Sequence, residues 1–347
     1  MRGTHFAPRR MWTLKHRVGL FSTGLLLVLL VGAGCLHRNA PGEPLHRSGD
    51  EIVVAGEFFH TGTPVVLWMD AGGYDGYRVE RRFAPLEKSD WENSKKEQPA
   101  LTTPNRYGLR REGLNPTQLE QVRGGGWSLP ELRSLVDQFI LHFDASGTSR
   151  RCFEVLHDNR GLSVHFLLDV DGTIYQTLDL KERAWHATSS NSRAVGIEIA
   201  QVGAFPPTQR KALDAWYVRD DHGMRITFPE WVGDPGIRTP HFIARPAREE
   251  PISGTIQGQA LIQYDFTPEQ YRALARLTAT LSRVFPKIRL EYPKDAQGKL
   301  IPQALDTEVR QQFQGILGHY HLQTNKVDPG PAFQWDRLIR EAQHSLR

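Results

Sequence analysis

The sequence predicts an α/β protein with a mixed central β-sheet flanked by helices on both faces. From about residue 131, short apolar segments of strand length alternate with segments of helical periodicity, which is typical of a sheet covered by helices. Two of the strand segments, 164–170 and 173–177, are joined by Asp171-Gly172, a pair typical of a hairpin turn. Apolar residues make up 39% of the chain and charged residues 24%, which fits a globular protein with a core.

The first 34 residues have the organisation of an export signal. A basic stretch ends at Arg17, the apolar run 18–31 follows, and small residues lead to Cys35. The apolar run is short for a membrane span, which needs about 20 residues. We therefore predict a signal peptide over residues 1–34, with an N-terminal transmembrane anchor as the alternative.

Cys35 lies in a stretch that resembles a bacterial lipobox, in which the cysteine is lipidated and becomes the mature N-terminus. Gly32 stands where leucine is usual in that motif. Leu36 stands where aspartate often marks inner-membrane retention, so the resemblance implies an exported lipoprotein that faces the periplasm from the outer membrane. A lipidated Cys35 would leave Cys152, the only other cysteine, without a disulfide partner, and we expect a buried thiol there.

The distribution of charge gives no reason to expect nucleic-acid binding. The chain has 43 basic and 39 acidic residues, and five of the basic residues lie in the predicted signal peptide, which has no acidic residue. The rest of the chain therefore has 38 basic against 39 acidic residues. The excess of basic residues therefore comes from the predicted signal peptide.

The remaining chain divides into three predicted parts. Residues 35–50 are polar and rich in proline and charge, as expected of a tether. Residues 51–130 form an N-terminal extension of unclear structure, with strands at 52–59 and 64–69 and a long loop or irregular segment over 85–130. Residues 131–347 form the main domain, with an insertion at about 204–262 that is rich in proline, arginine and aromatic residues.

The elements of the main domain follow from apolar periodicity and from capping residues. Beside the hairpin, the pattern predicts strands at 135–141, 194–200 and 317–319, and helices at 146–158, from Thr267 onward and at 333–346. Thr267-Pro268 is a typical helix start, because threonine caps the helix and proline suits its first turn.

Polar groups occur where the pattern of this domain calls for apolar ones. His142 ends a predicted strand, Glu198 interrupts another, and His319 lies at the end of a third, with Lys326 and Asp328 just beyond it. Each has an ordinary explanation alone, such as a structural histidine or a turn-forming aspartate. Together they supply two imidazoles and a carboxylate, a set that can hold a metal with one position open for water.

Three separated segments resemble the type 2 N-acetylmuramoyl-L-alanine amidases, a superfamily that includes phage amidase-lysozymes and animal peptidoglycan recognition proteins. These are SVHFLLDVDGTIYQTLDLKERAWHA (163–187), NSRAVGIEI (191–199) and GHYHLQTNKVDPGPAFQW (318–335). The resemblance covers roughly residues 134–340, without much of the insertion. It implies cleavage of the amide bond between N-acetylmuramic acid and L-alanine in peptidoglycan or muropeptides, for cell-wall turnover or recycling.

The resemblance also implies a site. Its zinc ligands match His142, His319 and Asp328, and the catalytic carboxylate of the bacterial branch matches Glu198. Lys326 matches the lysine that stabilises the oxyanion in the family. The phage branch has a catalytic tyrosine at the position of Val164, so tyrosine-based chemistry is excluded here.

Other residues of the matched motifs are candidates for the substrate groove. His165, His186 and Asn191 are candidates for orienting substrate, and a structural role for His165 is the alternative. Trp185 could form a groove wall or simply pack.

The chain departs from the family at His321, where bacterial members commonly have aspartate, and we expect this side chain to point outward. Two other readings remain, a non-catalytic peptidoglycan-binding module and an unrelated metal-dependent hydrolase. The first is disfavoured because all three ligand positions and Glu198 are present, and the second because several motifs appear in the family's order.

Overall fold

The computed structural model describes residues 41–347, and residues 47–347 form one compact unit. The predicted signal peptide and Cys35 lie outside the described residues. Within residues 41–347, no helix has the length and apolar character needed to cross a membrane.

The strands of the described chain are β1 (Glu51–Val54), β2 (Glu57–His60), β3 (Val65–Leu67), β4 (Tyr107–Leu109), β5 (Gln138–Phe143), β6 (Phe166–Leu168), β7 (Ile174–Gln176), β8 (Glu182–Ala184), β9 (Ala194–Ile199), β10 (Tyr217–Asp220), β11 (Gly223–Ile226), β12 (Ile252–Ile256), β13 (Gln259–Gln263) and β14 (Gly315–Gly318). The helices are α1 (Trp91–Glu97), α2 (Pro116–Val122), α3 (Leu129–Leu135), α4 (Ser149–Phe153), α5 (Arg210–Asp214), α6 (Pro268–Val284), α7 (Thr307–Gln312) and α8 (Trp335–Ser345).

The central sheet has six strands in the order β14-β5-β9-β6-β7-β3. All neighbours are parallel except β6 and β7, which form the antiparallel hairpin that Asp171-Gly172 predicted. Gly172 turns the chain with a φ of 85°, and its N–H donates to Asp169 O at 3.0 Å. The mixed sheet predicted from sequence is confirmed.

Apolar side chains cover both faces of this sheet. Successive residues of β5 alternate between faces, so Phe139 and Leu141 join the large core with α6 and α8, whereas Ile140 joins a smaller cluster on the other face. Cys152 and Phe153 of α4 pack with Leu167 on that second side. Helices therefore cover both faces, and the Cys152 thiol is buried as expected.

The N-terminal extension is more regular than its sequence suggested. The predicted strand 52–59 is broken by a turn at Ala55-Gly56, where both residues have a positive φ, so β1 and β2 form a separate hairpin. β3 joins the central sheet beside β7. Residues 85–130 are not one irregular loop, since capping boxes begin helices α2 and α3 at Asn115 and Ser128.

The helices of the main domain begin close to their predicted starts. α6 begins after Thr267, whose hydroxyl accepts a hydrogen bond from Gln270 N at 3.0 Å. The helix predicted over 146–158 begins after Thr148 as α4 and continues as a π-helix over Glu154–Asn159. The insertion contains two hairpins, β10–β11 and β12–β13.

Candidate metal centre

Three polar side chains converge where β5 and β14 end. His142 Nδ1 lies 3.0 Å from His319 Nδ1 and 2.9 Å from Asp328 Oδ2, and His319 Nδ1 lies 3.0 Å from the same oxygen. All three residues are buried. The structure thus brings together the three residues predicted as ligands.

The sheet and one glycine position these side chains. β14 runs parallel to β5 with Gly318 opposite Leu141, so the residues that follow, His319 and His142, lie at the same edge. A Cβ on Gly318 would lie 2.7 Å from Pro329 Cδ, so glycine is required where the Asp328 loop packs against the strand. Tyr320 N also donates to Asp328 O at 3.2 Å, which holds that loop in place.

The donor set fits a zinc ion. The three contacts join His142 Nδ1, His319 Nδ1 and Asp328 Oδ2. Neutral imidazoles cannot supply a proton to each of these contacts, so at least one pair of these atoms lies close together without a hydrogen bond. A cation between the three atoms would remove this repulsion. The distances of 2.9–3.0 Å are somewhat shorter than the edge of about 3.3 Å expected between ligands of a tetrahedral zinc.

The protonation of these residues also suits a metal. Burial, with the charge of His319, lowers the pKa of His142 to about 4, which keeps its ring neutral. Burial opposes ionisation of Asp328, but the charge of His319 and the hydrogen bonds from both histidines hold its pKa well below the ordinary value. Metal ligands must be deprotonated, and both residues meet this requirement near neutral pH.

His186 and Asn191 lie directly behind the ligands. His186 Nδ1 is 3.1 Å from His142 Nε2, so it can fix the orientation of that ring. Asn191 Oδ1 accepts from the backbone N–H of His186 at 3.1 Å and of Ala187 at 2.6 Å. A Cβ on Gly196 would lie 2.4 Å from His186 Cε1, so that strand position must be glycine for the ring to fit.

His165 is completely buried. Gly196 N donates to its Nδ1 at 3.1 Å, and its Nε2 lies 3.0 Å from Glu182 O and 3.1 Å from Arg110 Nη2. Both ring nitrogens are therefore occupied within the protein. This arrangement favours the structural alternative for His165 over contact with substrate.

Glu198 lies on the same sheet face as His142, its direct neighbour across β5 and β9. Its carboxylate has no hydrogen bond or ion pair with any residue that the structure describes. Arg193, its alternative partner, instead pairs with Asp137. Burial, followed by the charges of Asp328 and Asp144, raises the pKa of Glu198 well above its ordinary value.

The site opens into a cleft of about 390 Å³. The three ligand residues, Glu198 and Lys326 line it together with Trp185, His186 and Asn191. The cleft therefore also holds the lysine expected at the oxyanion and the tryptophan considered for its wall.

His321, expected to point outward, is instead completely buried. Its Nδ1 accepts from Gly318 N at 2.9 Å and its Nε2 donates to Ile301 O at 2.8 Å. Both nitrogens are used, so this ring holds the backbone behind His319 and is not a competing ligand.

Sequence reasoning missed Asp144 and Arg160, which also line the cleft. Asp144 Oδ1 accepts three backbone N–H groups, whereas Oδ2 is buried without a partner in the described chain. Burial raises the pKa of Asp144 to about 7 even though those hydrogen bonds lower it. A signal was present, because Asp144 follows His142 by two residues and so extends the same strand face.

Sequence reasoning also missed Arg110, which follows β4. Its buried guanidinium donates to Leu180 O at 3.0 Å, Ser192 O at 3.0 Å, Ala194 O at 3.1 Å and Asn191 O at 3.2 Å. Burial lowers the pKa of Arg110 to about 9. The N-terminal extension thus holds the segment that carries Asn191.

The comparisons with known proteins point to amidases. Residues 132–221 match the family model described as N-acetylmuramoyl-L-alanine amidase. No curated protein matches the chain significantly.

Solved structures of amidases resemble the chain weakly. A selenomethionine derivative of AmpD is 16% identical with a TM-score of 0.31, over 78% of this chain and 98% of that one. AmiD from E. coli is 15% identical with a TM-score of 0.32, and the match covers 68% of this chain and 65% of AmiD. LysCS from Clostridium intestinale URNW is 15% identical with a TM-score of 0.32, and the match covers 61% of this chain and 86% of LysCS. These scores are too low to carry an argument, so the assignment depends on the family match and the ordered motifs. The family match therefore supports an N-acetylmuramoyl-L-alanine amidase domain over residues 132–221.

Proposed function

We propose that this amidase uses zinc to hydrolyse the bond between N-acetylmuramic acid and L-alanine in peptidoglycan or its fragments, during cell-wall turnover or recycling. The observation that carries the proposal is Glu198, a carboxylate without a partner in the described chain, in the same cleft as three convergent donor atoms. The Glu198 side chain is only partly exposed, and removing a carboxylate from water without giving it a partner is costly, which favours a role in catalysis over a role in stability.

His142, His319 and Asp328 would hold the metal. Zinc, when bound, lowers the pKa of a coordinated water toward about 7 and polarises a carbonyl. Glu198 would take a proton from the attacking water and pass it to the nitrogen of L-alanine as the carbon–nitrogen bond breaks. Lys326 would donate to the carbonyl oxygen as negative charge develops there.

Glu198→Gln tests the proposal, because glutamine keeps the shape of the side chain but cannot accept the proton. We expect turnover to fall by about 10²- to 10⁴-fold, measured by mass spectrometry of stem peptides released from purified peptidoglycan. Zinc content and unfolding temperature should stay close to wild type. Near-normal release would reject the catalytic role, and a large loss of stability would favour the structural one.

Glu182→Gln is the matched control. Burial also raises the pKa of Glu182, to about 7, but this residue is not among those that line the cleft. Its replacement should leave turnover within about threefold of wild type. A non-catalytic peptidoglycan-binding module, the alternative, would bind peptidoglycan and release no peptides in any variant.

We also propose that the protein is exported, lipidated on Cys35 and held at the outer membrane facing the periplasm. The order of charge, apolar run and small residues before Cys35 supports this. Several acyl chains give stable anchoring where a single chain would be marginal. Cys35→Ser should abolish labelling by a fatty-acid analogue, and absence of label in the wild type would leave a plain signal peptide or an anchor.

A further inference from the structure

A second cleft, of about 370 Å³, is nearly as large as the amidase cleft and shares no lining residue with it. The end of β2 and the following turn form one wall, and α6 forms another. Arg133 of α3 and Ser345-Leu346 at the end of α8 complete the lining. The proposed amidase mechanism makes no use of this cleft.

Three arginines give the cleft its charge. Arg133 Nε donates to Val284 O at 2.8 Å, Arg283 Nη2 donates to Leu346 O at 3.0 Å, and Arg276 donates to Gly62 O. Over residues 41–347, none of the three forms an ion pair with a carboxylate. Each guanidinium is thus anchored by a backbone carbonyl and keeps further N–H groups available.

Two of these arginines lie on one face of α6. Arg276, Thr280 and Arg283 follow one another at spacings of four and three residues, so they share a helix face. Phe59 and Val284 also line the cleft. The lining of the cleft therefore combines cationic and apolar side chains.

We propose that this second cleft binds a phosphate group that carries net negative charge. Guanidinium groups bind phosphate oxygens through paired N–H donors, and an anion among three cations removes their mutual repulsion. Such a group can belong to an anionic lipid headgroup, which a membrane-anchored protein would meet, or to a soluble phosphate. If the cleft has no ligand, the three arginines are simply hydrated.

The test measures the unfolding temperature of the full chain in neutral detergent micelles. The probes are inorganic phosphate and micelles containing phosphatidylglycerol, with phosphatidylcholine as the uncharged comparison. A ligand that binds the folded state raises the unfolding temperature. We expect a rise with at least one anionic probe and none with phosphatidylcholine.

The double variant Arg276→Gln/Arg283→Gln should weaken this binding by about 25-fold, since each arginine near an anionic surface contributes about fivefold. Arg272→Gln is the matched control for charge, because Arg272 lies on the same helix but pairs with Glu269 at 2.7 Å. It should leave binding within about twofold. If the double variant does not fold, Arg133→Gln replaces it as the test variant, because Arg133 lines the same cleft from α3.

Each outcome bears on the proposal. A response to phosphate alone identifies a soluble ligand, a response to phosphatidylglycerol alone identifies a lipid headgroup, and a response to both shows that the phosphate group suffices. No response, an equal response in the double variant, or an equal loss in Arg272→Gln would overturn it. Hydrolysis of soluble muropeptides by the double variant should equal that of wild type, so a failure of this cleft is distinguishable from a failure of the amidase proposal.

Discussion

Replacing Arg110 with methionine should destabilise the protein strongly, although Arg110 lies far in sequence from the ligands. The guanidinium is fully buried, and it is the only hydrogen-bond donor described for the carbonyls of Leu180, Asn191 and Ser192. A buried carbonyl left without a donor costs about 1–3 kcal/mol. Burying the guanidinium is itself unfavourable, and the methionine variant no longer has this cost. The lower end of the range therefore applies to each carbonyl. Three carbonyls give a loss of about 3–5 kcal/mol.

This loss corresponds to a fall in unfolding temperature of about 6–10 °C for a protein of this size, measured by calorimetry. The metal centre should respond too, because Asn191 holds the backbone of His186, which contacts the His142 ring. We expect zinc affinity to fall by about tenfold. Arg111→Met is the matched control, since Arg111 is the exposed neighbour. A change below about 1 kcal/mol in Arg110→Met, or an equal change in the control, would refute the reasoning.

Three further results are expected. His319→Ala should lose zinc and activity together, measured by metal analysis and peptide release, and full zinc occupancy in this variant would reject the ligand assignment. Gly196→Ala should lower zinc affinity by about 10- to 100-fold, because its Cβ would meet the His186 ring, and unchanged affinity in a chelator competition would contradict that contact. His165→Gln should flatten the loss of stability in acid. Burial, with the charge of Arg110, lowers the folded pKa of His165 to about 3, so the unfolded chain takes up a proton that the folded chain does not as pH falls below about 6.5. Stability should therefore fall by about 1.4 kcal/mol per pH unit more in wild type than in the variant between pH 6 and 4, and parallel denaturation profiles would show that His165 does not titrate this way.

The sheet and its ligands were predictable because they depend on local signals. Strand-length apolar runs fixed β5, β6, β7 and β9, and the polar residues that end or interrupt such runs were conspicuous. The hairpin turn at Asp171-Gly172 and the cap at Thr267 follow from the intrinsic preferences of single residues. These features need no knowledge of long-range contacts.

Features that depend on distant partners were not predictable. The buried side chain of His321 forms a hydrogen bond with Ile301 O, and nothing in the sequence near either residue predicts this contact. Arg110 is a charged residue in a polar stretch, a pattern typical of a solvent-exposed segment. Only the folded structure shows that backbone carbonyls of residues 180–194 surround its guanidinium. Ala55 adopts a positive φ that its residue type disfavours, so the break between β1 and β2 was hidden.

β3 has a consequence for how this protein can be divided. Its buried residues Val65–Leu67 pair with β7, which would otherwise be the edge strand on this side of the central sheet. A fragment limited to the family-matched residues 132–221 would expose the unpaired N–H and C=O groups of β7 to solvent. Open sheet edges of this kind are templates for intermolecular strand pairing. We therefore expect a fragment that omits only the extension, residues 131–347, to self-associate more readily than the full chain.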